Sequence, residues 1–278
     1  MAKLANLGKK HEILGKYVAN IDSIGDSDKP NVESILILKP DAFVMKGSKM
    51  TITDQMRATN VSLIWLDCYR IPFLASDARA LGNLTGTSGR AEEYAVYVEK
   101  NLDLIEYRVM NNVQNGSLRV YSESYAEYTA QGRESGGTQI LTMLNAKNIG
   151  EDIQGQAVIV SPEWIVERNP DVIVKIVSQS TLQTESLDQV RKRVMNRPGF
   201  ERITAVKTGR VYVINGDLLY SPRGAAGMVY LAKAFYPELF SDINPDDVLE
   251  EYCTRFFPDA RYIPTMSPHF MNTTTKQA

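Results

Sequence analysis

Histidine, cysteine and tryptophan are scarce: the 278-residue chain has two of each. Cys68 and Cys253 allow at most one disulfide, and their spacing fits neither a zinc ribbon nor a CxxC redox pair. They read as small buried hydrophobes. His11 and His269 stand one in each terminal region, so no His-rich zinc or manganese site is expected, and iron–sulfur ligation needs more thiolates than two. No stretch reaches the ~18 apolar residues of a membrane span. The start, MAKLANLGKKHEILGKYV, lacks the apolar core of ~7–15 residues that a secretory signal requires. That leaves a cytoplasmic protein or a processed or trimmed version of an exported one. Excess positive charge is also missing. With 31 Lys+Arg against 33 Asp+Glu, a formal net charge of −2, the chain does not read as a nucleic-acid binder. There is no P-loop, no GxGxxG after a strand, no GxSxG elbow and no HExxH.

What is present is an ordinary globular composition, 44% hydrophobic and 23% charged, on a chain long enough for two domains. Short apolar runs rich in β-branched or aromatic residues predict strands at Ala42 to Met45, Ser62 to Leu66, Leu118 to Tyr121, Val172 to Ile176 and Arg210 to Ile214. Helical patterns such as Ser186 to Met195 and Ala225 to Phe235 fall between and after them. The alternation predicts an α/β fold with mainly parallel sheets. One helix stands apart. From Arg90 to Gln114 there is no Gly or Pro, and Ala91, Tyr94, Val98, Leu102, Ile105 and Val109 make one apolar stripe before the Asn115-Gly116 stop. At ~1.5 Å per residue it would span about 37 Å, which suits a rigid connector between two lobes or a long crossover within one.

An internal repeat favours two lobes. NVESILILKPDAFVMK at 31–46 and SPEWIVERNPDVIVKI at 161–176 align without gaps, matching Glu33 with Glu163, Ile35 with Ile165, Pro40 with Pro170, Asp41 with Asp171 and Val44 with Val174. Each copy has a helix-capping residue, a carboxylate in the first turn, a short amphipathic helix, a Pro-Asp stop and a buried strand. Two such lobes leave a cleft between them, a favoured ligand location. The expected layout is an N-terminal lobe at 1–88, a connecting helix at 89–115, a C-terminal lobe at 116–270 and a disordered tail at 271–278.

These units, together with SESYAEYTAQGRESGGTQILTMLNAKNI and the closing stretch KTGRVYVINGDLLYSPRGAAGMVYLAKAFYPELF, resemble the substrate-binding proteins of ABC importers for ferric siderophores, haem and cobalamin. The resemblance runs from about Leu4 to Phe256. It implies two α/β lobes bridged by one rigid helix, capture of a ligand in the cleft, no catalysis, no cofactor beyond the carried ligand, an extracytoplasmic location and delivery to a membrane permease. It also implies that one glutamate per lobe docks on permease arginines; here these are Glu33 and Glu163. Both also suit a helix N-terminus, where a carboxylate complements the dipole. One departure is visible: the family opens with a strand and a loop ahead of the Leu-Gly helix, whereas LANLGKKHEILGKYV begins almost at that helix, so the first strand is expected to be missing.

The second-lobe loops that would face the ligand, Ser124 to Ser135 and Leu219 to Arg223, contain Tyr125, Tyr128, Arg133, Tyr220 and Arg223. Guanidinium groups pair with carboxylate or phenolate oxygens and aromatic faces cover an apolar rim, so the set suits an anionic chelate. A ferric siderophore is the first expectation; haem, cobalamin or an oxyanion such as molybdate is the alternative on the same fold. A cytoplasmic two-lobed α/β enzyme is the alternative of another class. Trp65 and Trp164 read as core or rim residues.

Overall fold

The computed structural model describes residues 20–21, 23–25, 30–46, 56–57, 59–67, 69–113 and 118–257. The Leu-Gly helix, the first strand expected to be missing, His11, His269, Cys68, the Asn115-Gly116 stop and the tail from Met271 lie outside the described residues. The chain divides into two compact units that part at Cys68/Tyr69, some way before the boundary placed near residue 88. The reason is local packing: the helix that precedes residue 88 lies along the long helix and counts with the larger unit.

In the smaller unit, helix α1 (Val32–Leu38) starts where Asn31 turns its side-chain oxygen back on the Ser34 N–H at 2.9 Å. It stops at Lys39, in the left-handed region with φ 46°. Pro40 then sends the chain into strand β1 (Ala42–Lys46), which pairs in parallel with β2 (Ser62–Leu66), Ala42 opposite Ser62. Ile35 of the helix packs with Ile24, Met45 and Met56.

The larger unit opens with α2 (Leu74–Thr85) and α3 (Ser88–Asn112). The long helix has 25 residues, shifted two positions toward the N-terminus from the expected bounds. All six stripe residues are at least partly buried; Ala95, Tyr97 and Asn101 are buried as well. Asn101 is tolerated inside because its amide donates to the Tyr97 carbonyl at 2.8 Å. Gly82 lets α2 approach α3, since a Cβ there would overlap that of Ala91. Arg79 reinforces the pair by forking onto Glu92 and Glu99.

Beyond them lies a six-stranded sheet built from β3 (Arg119–Glu123), β4 (Thr129–Gln131), β5 (Lys147–Asn148), β6 (Ala157–Ile159), β7 (Val172–Val177) and β8 (Val211–Asn215), in the order β6-β4-β3-β7-β8, with β5 also on β3. The pairs β3–β7, β7–β8 and β3–β5 are parallel, β3–β4 and β4–β6 antiparallel. The segment 124–135, read from sequence as loop, therefore contains a short strand. Strand alternation sends Val172, Val174 and Ile176 of β7 to one core with α3, α4 (Gly136–Met143) and the helix Gly224–Phe235, and Ile173 and Val177 to a second core with the helices Pro162–Arg168 and Leu187–Met195. Helix α5 (Pro162–Arg168) repeats α1: Ser161 caps the Trp164 N–H, Ile165 is buried, and Asn169 is left-handed at φ 38°. The remaining helices are α6 (Gln179–Leu182), α7 (Leu187–Met195), α8 (Thr204–Lys207), α9 (Gly216–Leu219), α10 (Gly224–Phe235) and α11 (Pro245–Phe256).

Candidate ligand-binding site

Parallel strands β3, β7 and β8 all end at one edge of the sheet, and in α/β folds the loops beyond the carboxyl ends of strands are where ligands sit. Two of the expected ligand contacts meet there. Tyr125 follows β3 and is half exposed, its ring standing over the first residue of α9: a Cβ on Gly216 would come within 2.8 Å of the Tyr125 ring. Tyr220 follows α9 and packs its ring on Gly136 at the start of α4. Its oxygen accepts a hydrogen bond from the Gln131 amide at 3.0 Å. Ser122 holds Gln131 in turn, donating to the other amide atom at 2.9 Å.

Both phenols stay protonated at neutral pH. Burial raises Tyr220, Gln131 opposes it and the nearby Tyr125 adds to it, leaving the group at about 12. Burial and the Asp217 carboxylate push Tyr125 up as well. Since the Tyr220 oxygen already accepts from Gln131, its proton is left to donate. Two adjacent neutral donors match an acceptor-rich ligand.

The other three expected contacts stand elsewhere. Tyr128 has φ 55°, which turns it back onto the sheet, edge-on to Phe200 and over the Arg197 guanidinium at 4.4 Å. Arg133 is exposed, its Nε donating to the Glu151 carbonyl at 3.0 Å. Arg223 is buried at the start of α10, near Tyr252 and Cys253. Burial raises both of those groups, Tyr252 to about 12, and the Arg223 charge offsets part of the rise.

Sequence reasoning missed the groups beneath the Tyr125 loop. Register places Glu123 of β3 directly opposite Lys175 of β7, on the same face of the sheet. Glu123 is wholly buried and Lys175 nearly so, their charged atoms 2.9 Å apart. Arg197, just after α7, closes the group with a two-pronged pair onto Glu123 at 2.6 and 2.8 Å, and Tyr121 donates to the same carboxylate at 3.0 Å. Burial would raise the Glu123 carboxyl; the Arg197 hydrogen bonds and the Lys175 charge outweigh it and hold the group below the usual range. Burial lowers the Lys175 ammonium despite Glu123. A signal existed: a lysine inside the apolar run VIVKIV requires an opposite charge, but nothing local names it.

The expected docking residues lie one in each unit. Glu33 and Glu163 are both exposed in the first turn of their helices. The Glu163 carboxyl is held below its ordinary value by its own backbone N–H and by Ser161. Trp164 beside it carries the Arg168 guanidinium over its ring at 4.1 Å.

The profile described as periplasmic binding protein matches residues 5–218. The chain belongs to the periplasmic binding protein family. Among curated relatives of this family, the ABC transporter substrate-binding lipoprotein YvrC of Bacillus subtilis is 26% identical over 238 residues, 82% of this chain and 71% of that protein. The molybdate-binding protein MolA of Haemophilus influenzae is 24% identical, covering 90% of this chain and 76% of its own. Among solved structures, the TroA-like periplasmic binding protein FepB of Veillonella parvula superposes with a TM-score of 0.80 at 21% identity, over 96% of this chain and 86% of that one. This periplasmic binding protein thus has the family's two-lobed α/β fold and is the substrate-binding component of an ABC transporter, a transport component and not an enzyme. Its relatives are periplasmic or lipoprotein substrate-binding proteins whose partner is a membrane permease. Among the described residues, no helix is long and apolar enough to cross a membrane, and no group of three or more His, Cys, Asp or Glu is placed to hold a metal ion.

Proposed function

We propose that this binding protein captures an anionic, oxygen-rich metal chelate of the ferric-siderophore class and passes it to the permease through Glu33 and Glu163. The observation that carries the reading is the Tyr125–Tyr220 pair at the strand ends, two neutral phenols of which one has its oxygen already engaged and its proton left to give. Chelate oxygens accept from the hydroxyls, and the exposed Tyr125 ring covers an apolar ligand edge. Hydrogen bonds to charged acceptors contribute ~1.5–3 kcal/mol each.

The likeness to MolA supports a second reading on the same residues, an oxyanion such as molybdate, since hydroxyl donors suit either. Calorimetric titration of the full chain against ferric catecholate and hydroxamate siderophores, haem, cobalamin and molybdate separates them. Saturable heat with a ferric siderophore is expected, weakened at least tenfold by Tyr125→Phe and by Tyr220→Phe. Binding of molybdate alone would replace the first reading with the second. A chelate that binds both tyrosine variants as tightly as the parent removes the pair from the site.

A further inference from the structure

Beneath the ligand face, Lys175 makes contacts that charge balance does not call for. Arg197 already meets both oxygens of Glu123 and neutralises it. Arg197 also lies 3.8 Å from Glu127 at the rim, a carboxylate paired with Arg193. Lys175 brings a second cation into the buried cluster, on a face that Ile173 and Val177 of the same strand otherwise make apolar. A buried ammonium without enough acceptors is strongly disfavoured. The acceptors it finds, besides Glu123, are three consecutive backbone carbonyls, those of Ser124 at 2.5 Å, Tyr125 at 3.0 Å and Ala126 at 3.1 Å. An ammonium has three protons to share among these four acceptors, and the loop curls its three carbonyls inward around that one point. Curling them inward directs the Tyr125 side chain out, over Gly216. Three residues after Tyr125, Tyr128 takes its left-handed turn and lays its ring on Arg197, fixing the other end of the loop.

We propose that Lys175 is a positioning residue for ligand binding: by gathering the carbonyls of Ser124, Tyr125 and Ala126 it sets where the Tyr125 phenol stands beside Tyr220. This rests on the reading that Tyr125 contacts the ligand, so the test has one arm that needs no ligand. In the full chain carrying Lys175→Met, amide hydrogen exchange across residues 124–128 is expected to quicken at least tenfold while β7 and β8 keep their protection. Affinity for a ferric catecholate is expected to fall about tenfold, and this loss is expected to vanish when Lys175→Met is introduced into a Tyr125→Ala background, because the lysine acts through that ring. Unchanged loop exchange overturns the proposal. So does an equal loss of affinity in both backgrounds, which makes Lys175 a general stabiliser. A parent chain that binds neither a ferric catecholate nor molybdate defeats the ligand reading, and the exchange arm then decides whether the lysine holds the loop. Should Lys175→Met fail to fold, Lys175→Gln keeps amide donors for the carbonyls without the charge; it is expected to show intermediate loop exchange, and exchange equal to the parent's would mean that the charge plays no part.

Discussion

A carboxylate wholly removed from water survives in its charged form only where each of its oxygens has a partner, and Glu123 has Arg197, Lys175 and the Tyr121 hydroxyl. Such a cluster contributes little net stability when complete, but it is costly to break, because the remaining charge stays buried. Arg197→Met is therefore expected to lower unfolding stability by ~3–5 kcal/mol, read as a shift of the urea midpoint at unchanged slope. The pH dependence follows from the same residue. The folded-state pKa of Glu123 is depressed, so its contribution is present above the ordinary glutamate value of ~4.3 and is lost as pH falls through the lower folded value. Removing Arg197 takes away the main cause of that depression, so the fall in stability below about pH 4.3 should flatten in the variant. An identical acid slope in both chains would mean that other carboxylates govern it.

At the scale of elements, the legible parts were those whose signals are local. The repeated helix-and-strand unit was readable because its cap, buried isoleucine, Pro-Asp stop and strand fall within sixteen or seventeen residues, and both copies formed in phase: Val32–Leu38 with Ala42–Lys46, Pro162–Arg168 with Val172–Val177. The long helix was readable from its period. Strands β4, β5 and β6 were not, since two or three residues such as Lys147–Asn148 carry no alternation and exist only through their partners. The site divided the same way. Tyr125 and Tyr220 lie near each other at the strand ends, but the inward turn of Tyr128 depends on Arg197, and the surroundings of Arg223 on α11, both distant in sequence. Helix α9 offers an element-scale test. Its first residue is glycine, and a methyl there meets the Tyr125 ring, the free end of a half-exposed side chain. Gly216→Ala is expected to cost only ~1 kcal/mol, the low end for overpacking because the ring can move, while displacing the ring and weakening ligand binding severalfold, checked by paired melts and calorimetry. A large drop in melting temperature with unaltered affinity would instead make Tyr125 a packing residue.

For the molecule as a whole, function requires two recognitions that do not interfere, a ligand on one surface and a permease on another. The proposed docking residues Glu33 and Glu163 each lie in the first turn of a seven-residue helix, each is exposed, and one belongs to each compact unit. A carboxylate there gains only ~0.3–1 kcal/mol from the helix dipole, so reversing its sign costs little stability. Opposed to arginines on a partner, the same reversal turns attraction into repulsion, which costs several kcal/mol across an interface. Glu33→Lys with Glu163→Lys is thus expected to leave ligand affinity within about twofold and to lower stability by no more than ~2 kcal/mol, while abolishing uptake by cells and stimulation of the transporter's ATPase in proteoliposomes. Each single reversal should give a partial loss that deepens as salt is lowered, since screening weakens at low ionic strength. Uptake that survives the double reversal would reduce both carboxylates to partners of their own helix dipoles and move the docking surface elsewhere on the two units.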